Sequence, residues 1–253
     1  MGAPHGHLLH YHAHSPVHRL PAHLKIAVLL GFVLLVVATP AQEVWAFAAY
    51  AGLVLGVALV SRVPLPYLLV RMVVEVPFVV FAVLMPFIST GPRVALGPLL
   101  VSEPGLWAAW ALLAKGTLGV FTSLLLATTT EPREVVAGLQ RLRMPATLVQ
   151  ILAFMIRYLE VVAGEMHRMR IARESRGFRP GGLRAWPVIA RSAGALFIRS
   201  YERGERVHLA MLSRGYAGRL PETVALTASP AQWVAAAALP GAAALVLIGA
   251  VGW

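Results

Sequence analysis

The sequence predicts an all-α membrane protein: about five transmembrane helices plus a cytoplasmic domain of one short and two long amphipathic helices. Three observations lead there. The chain is 58% hydrophobic with a mean hydropathy of +0.72, well above the ~45–50% apolar content of soluble domains. Its apolar residues gather in runs long enough to cross a bilayer, for which ~20 residues are needed. Its positive charge is segregated, with 16 of the 22 Lys and Arg between residues 131 and 220 beside only seven acids.

Residues 1–23 form a cytoplasmic tail holding seven of the nine histidines, His5, His7, His10, His12, His14, His18 and His23. Such a tract is a weak candidate for divalent metal, with His5, His7, His10, His12 and His14 its members; the irregular spacing argues rather for an unspecialised polar tail. Residues 24–130 carry the first four spans, Leu24–Thr39, Gln42–Ser61, Leu68–Thr90 and Leu106–Thr129. The first is short and resembles a leader segment, but a second apolar run follows at once, so the pair reads as an uncleaved hairpin. In the third, Arg71 and Glu75 stand four apart and can pair at an interfacial end. Lys115 in the fourth can snorkel, face another helix or meet a partner. Residues 231–253 form the last span. The Lys/Arg asymmetry puts the N-terminus and residues 131–220 in the cytoplasm, and loop 91–104 and the C-terminus outside.

Within residues 131–220, Thr130-Glu131-Pro132 is a helix start with a capping hydroxyl and a proline in the first turn. A long helix from Ala146 carries Met155, Leu159, Val162, Met166 and Met169 at spacings of three and four, a packing stripe whose methionines also suit a surface that repacks. Another runs from about Arg184 to Ser213. The two long helices end in the same phrase, Ala-x-x-Ser-Arg-Gly-aromatic, at Ala172–Phe178 and Ala210–Tyr216. Arginine in a last turn and glycine just beyond are ordinary helix-end chemistry; that does not explain the recurrence of alanine, serine and the aromatic residue.

Several chemistries are excluded. With neither Cys nor Asp, the chain has no disulfide, no thiolate metal site and no Asp-rich magnesium site. The lysines, Lys25 and Lys115, lie in no glycine-rich phosphate loop, and neither G-x-S-x-G nor H-E-x-x-H occurs. The basic residues are interleaved with helical apolar positions, which argues against nucleic acid. A self-contained secondary transporter would have only Arg71, Glu75 and Lys115 as ionisable groups in its spans.

Thr130-x-Pro132, Leu139-x-x-Leu142-x-x-Pro145, Arg157-Tyr158, Glu165 and the paired Ser-Arg-Gly words resemble the transmembrane T component of energy-coupling factor (ECF) transporters. Ser15-Pro16-x-His18-Arg19-Leu20-Pro21-x-x-x-Lys25 is similar to the N-terminal signature of the cobalt-type (CbiQ) branch, with His23 where that branch tends to carry arginine. The resemblance implies a non-catalytic scaffold in a prokaryotic inner membrane, coupling two ABC-type ATPases to a substrate-binding S component, most naturally for cobalt, with nickel, biotin or another vitamin as the alternative cargo. It implies that ATP and magnesium are bound by the partners and that this chain holds no cofactor. It assigns Ser175, Arg176, Gly177, Ser213, Arg214 and Gly215 to ATPase docking, and the stripe Met155–Met169 to supporting the S component.

Overall fold

Apolar runs separated by proline-bearing turns fold into nine α-helices and one short hairpin among the described residues, which in this computed structural model are 15–96, 99–178, 181–182, 185–218 and 228–252. In chain order they are α1 (Ala22–Ala38), α2 (Val44–Ser61), α3 (Leu65–Arg71), a 3-10 turn (Met72–Glu75), α4 (Val76–Ile88), β1 (Arg93–Leu96), β2 (Leu99–Ser102), α5 (Glu103–Thr129), α6 (Pro132–Arg141), α7 (Ala146–Glu174), α8 (Trp186–Leu212) and α9 (Pro230–Val251). They separate into two compact units, one of residues 9–142 and 225–253 and one centred on residues 143–224.

The first unit packs α1, α2, α5 and α9 around Phe32, Phe47, Tyr50, Val54, Phe121 and Ala243. Its exposed surface is as apolar as its core, with Leu34, Leu59, Val70, Phe81, Ile88 and Val234 all open. That inversion is expected where the surrounding solvent is lipid. Most polar side chains named inside are paired, although His23 Nδ1 and Ser102 Oγ are buried without a hydrogen-bond partner among the described residues. The hydroxyls of Thr39 and Tyr50 lie 2.9 Å apart across α1 and α2, and those of Thr122, Thr128 and Thr129 bond back to carbonyls of their own helix. Two glycines permit close helix approach. A Cβ on Gly105 would lie 2.8 Å from the Met85 carbonyl, and one on Gly138 would lie 2.9 Å from the His23 nitrogen, seating α6 against α1.

α1 and α2 form as two successive helices joined by residues 39–43, but not as the packed hairpin expected: α1 packs mainly on α9, α6 and α5 and meets α2 through the Phe32 and Tyr50 rings, 5.8 Å apart. Several details differ from the sequence reading. The third span starts earlier, at Leu65, and is broken by the 3-10 turn, so that Glu75 leaves the helix ladder and turns inward. It accepts a hydrogen bond from the Thr117 hydroxyl, halfway along the 27-residue α5. Glu75 therefore sits at mid-helix depth rather than at an interfacial end, while the Arg71 guanidinium lies 3.6 Å over the Tyr67 ring. Loop 91–104 contains the antiparallel β1–β2 ladder, with Arg93 opposite Ser102, a pairing that its short segments did not announce. Thr130 does not cap α6: its hydroxyl accepts from Lys25 at 3.2 Å and Glu131 occupies the cap position. Lys115 reaches the Val37 carbonyl at 2.7 Å.

By length and composition, five helical stretches among the described residues can cross a membrane: α2, α3 to α4, α5, α7 and α9. The number agrees with the sequence reading; the membership does not. At 17 residues α1 is short, whereas α7 qualifies because most of its charge lies in its last ten residues, leaving Arg157 and Glu160 as the charges of its first 18.

Candidate docking surface

The site is built from two helix ends. A helix leaves its last carbonyls without intrahelical donors, and a residue in the left-handed conformation lets the chain fold back to supply them. At the end of α7, Gly177 takes φ +79°. Its N–H donates to the Glu174 carbonyl at 3.0 Å, and the next N–H, of Phe178, donates to Arg173 at 3.1 Å. At the end of α8, Gly215 takes φ +81°. Its N–H donates to Leu212 and that of Tyr216 to Met211, both at 3.0 Å. These are two copies of one Schellman cap, bond for bond.

Serine is part of the same device. The Ser175 hydroxyl donates to the Ala172 carbonyl at 3.1 Å, and Ser213 to Ala210 at 3.0 Å. The aromatic residue supplies the closing N–H, and the Phe178 ring also lies 5.9 Å from the Arg173 guanidinium. So serine, glycine and the residue after glycine have local work. The arginines do not. Arg176 and Arg214 occupy the position before each glycine, are exposed, and have no ion-pair or side-chain hydrogen-bond partner among the described residues. Each cap thus holds one guanidinium in a fixed local frame and leaves its five donors unused.

The frame that carries the caps is braced. Glu165 on α7 accepts from Arg168 at 2.6 Å and from Arg199 on α8 at 2.6 Å, so one carboxylate ties the two helices together. Gln150, near the start of α7, donates to the carbonyl of Gly218, just past the second cap. The first cap stands at the other end of α7. The 26 residues from Gln150 to Arg176 make about 39 Å of helix at ~1.5 Å per residue, which puts the two caps towards opposite ends of this unit.

The stripe on α7 is a continuous face: Met155, Leu159 and Met166 are exposed, at 62%, 68% and 57%, with Val162 and Met169 half-buried between them. Leu148 and Ile151 extend it towards the helix start. It does not pack against α8 as an internal core. The candidate metal ligands His5, His7, His10, His12 and His14 lie outside the described residues. Among those described, no cluster of three His, Cys, Asp or Glu side chains could hold a metal ion.

Two contributions were not legible from sequence. Arg199 is one of many arginines on α8, and nothing local marks it as the partner of Glu165. Lys25 is more than a flanking charge. Its buried ammonium donates to the carbonyls of Thr129 at 2.8 Å and His18 at 3.3 Å and to the Thr130 hydroxyl, pinning the start of α1 to the end of α5. The Ser15 hydroxyl and His18 Nδ1, 2.7 Å apart, shape the turn that brings His18 there. The partners of Lys25 on α5 are a hundred residues away, beyond the reach of any local pattern.

Comparison with known proteins gives the family. A family model described as cobalt transport protein (CbiQ) matches residues 13–225. A protein of Brevibacillus brevis named energy-coupling factor transporter transmembrane protein EcfT is 29% identical over 224 residues, 83% of each chain. Its namesake in Bacillus subtilis is 26% identical over 218 residues, 81% of this chain and 82% of its own. The cobalt transport protein CbiQ of Rhodobacter capsulatus is 27% identical over 197 residues, 78% of each. An uncharacterised protein of Methanocaldococcus jannaschii is 34% identical over 102 residues, a match spanning 38% of that protein's length.

Proposed function

The chain belongs to the cobalt transport protein (CbiQ) family, and from that premise we propose that it is the non-catalytic scaffold of an ATP-driven ECF-type importer, coupling two ABC-type ATPase subunits to a membrane S component that takes up cobalt ion. The observation that carries this reading is the duplicated cap: two arginines in one backbone frame, each exposed and without a partner among the described residues. A guanidinium is always charged, and its planar fork matches carboxylates and carbonyls lining a groove. Two equivalent anchors suit two equivalent ATPase subunits.

The braced frame supports the coupling. When ATP and magnesium close the partner ATPases, the caps are drawn with them. Because Glu165 joins α7 to α8, the pair moves as a body, a rigid-body transmission. The exposed stripe Met155, Leu159, Val162, Met166 and Met169 is the surface on which the S component rests. Methionine's flexible thioether lets that contact repack as the S component tilts between outward- and inward-facing positions. Residues 131–220 face the cytoplasm in this reading, because the basic residues concentrate there. Cobalt is cargo, and the S component selects it.

The test is the double variant Arg176→Glu with Arg214→Glu, expressed with the partner subunits. It is expected to insert in the membrane normally, to lose both ATPases on detergent purification and to abolish ATP-dependent Co²⁺ uptake. Co-purification of both ATPases together with normal uptake would overturn the docking assignment. Uptake of biotin or Ni²⁺ in place of Co²⁺ by the wild-type complex would overturn the cargo while leaving docking intact.

A further inference from the structure

We infer that the first unit holds one acyl chain of an anionic phospholipid in a slot between α1, α2, α5 and α9. The slot is a cavity of about 460 Å³, lined by Val28 and Leu29 of α1, Val57 and Val60 of α2, and Leu125 and Leu239 of α5 and α9. That volume is in the ~300–1,000 Å³ range of small-ligand sites. On α2 the lining runs from Leu53 to Val60, about 10 Å of helix at ~1.5 Å per residue. It lies towards the end of the unit where α1 begins, α2 and α5 finish and α9 begins, and Val17 and Leu20 complete its wall.

The lining decides the class of occupant. Its few polar side chains already have partners: all three donors of the Lys25 ammonium are used, and the Thr122 and Thr129 hydroxyls donate to Leu118 and Leu125. Water needs two to four polar partners to stay in a cavity, and here it would find almost none. A sugar, nucleotide or metal ion would be stranded for the same reason. A partner helix, ~10–12 Å across with its side chains, is too wide for the space. A flexible hydrocarbon chain is what remains, and the bilayer supplies it at this depth.

Charge at the mouth selects the headgroup. Arg19 stands between the lining residues Val17 and Leu20, and Arg62 lies two residues beyond Val60; both are exposed. This end of the unit carries Arg19, Lys25, Arg62, Arg133 and Arg141 against Glu131 and Glu134, a cationic surplus that favours an anionic phosphate over a zwitterion.

The test is native mass spectrometry of the full-length chain purified with its partner subunits, after exchange through a delipidating detergent and addition of phosphatidylglycerol or phosphatidylethanolamine with identical acyl chains. Wild type is expected to retain one phosphatidylglycerol in preference to phosphatidylethanolamine. Gly56→Leu fills the slot from α2, where an added Cβ meets nothing within 4 Å, and Ala238→Leu fills it from α9. Each should lower the retained fraction roughly tenfold, the effect of losing about two buried methylenes, while elution and thermal midpoint stay at wild-type values. Arg19→Gln with Arg62→Gln should keep a lipid but lose the headgroup preference. Wild-type retention in both filling variants, or a lipid-free wild type, would overturn the slot; equal retention of the two lipids by wild type would overturn the anionic assignment.

Discussion

Each cap divides its labour among neighbours. Glycine provides the left-handed backbone, serine and the following residue satisfy the last carbonyls, and arginine alone is left facing outward. The division makes a prediction that separates cap from anchor. Gly177→Ala and Gly215→Ala force a Cβ into φ near +80°, at a cost of about 1–2 kcal/mol each. They should speed amide hydrogen exchange at Phe178 and Tyr216 respectively, whereas Arg176→Gln and Arg214→Gln should leave those amides protected. Unchanged exchange in the glycine variants would mean that the frame does not depend on the cap. The Ser-Arg-Gly words were legible because a helix end is a local event, written in seven consecutive residues. That Arg176 and Arg214 have no partner among the described residues was not, since the solitude of a side chain depends on everything folded around it.

At the scale of elements, one carboxylate bridges α7 and α8. Glu165→Gln keeps the size of the side chain but removes the charge that holds Arg168 and Arg199. The expected result is faster hydrogen exchange at the middle of both helices and weaker ATP-dependent uptake, with both ATPases still bound because the caps are intact. Loss of the ATPases in this variant would mean that docking and bracing are not separable. The periodicity of α7 made its stripe legible, with Met155, Leu159 and Met166 falling on one face. What periodicity concealed is the gradient along the helix, apolar first and charged last, which gives α7 the length and hydropathy of a membrane span. The 3-10 break at Met72–Glu75 was hidden for a related reason: Met72, Val73 and Val74 are as apolar as the helices on either side, and the break shows in where Glu75 turns.

Across the whole molecule, an oily unit with lipid-facing surfaces and a basic unit ending in two arginine caps share one chain. The spans were legible from composition because each satisfies its own backbone within one segment. The buried tie at Lys25 was not, joining as it does residues far apart in sequence. Lys25→Met should orphan the Thr129 carbonyl, costing about 1–3 kcal/mol, and lower the thermal midpoint of the detergent-solubilised protein; an unchanged midpoint would show that the tie is dispensable. The central claim concerns the other unit, and the absence of cysteine from the chain makes it directly measurable. Ser175→Cys and Ser213→Cys, each beside its arginine, provide unique attachment points for a short thiol-to-amine cross-linker in native membranes containing the partner subunits. The account predicts that each variant captures an ATPase subunit, and that a chain carrying both captures two. Capture at only one position, or at neither, would contradict it.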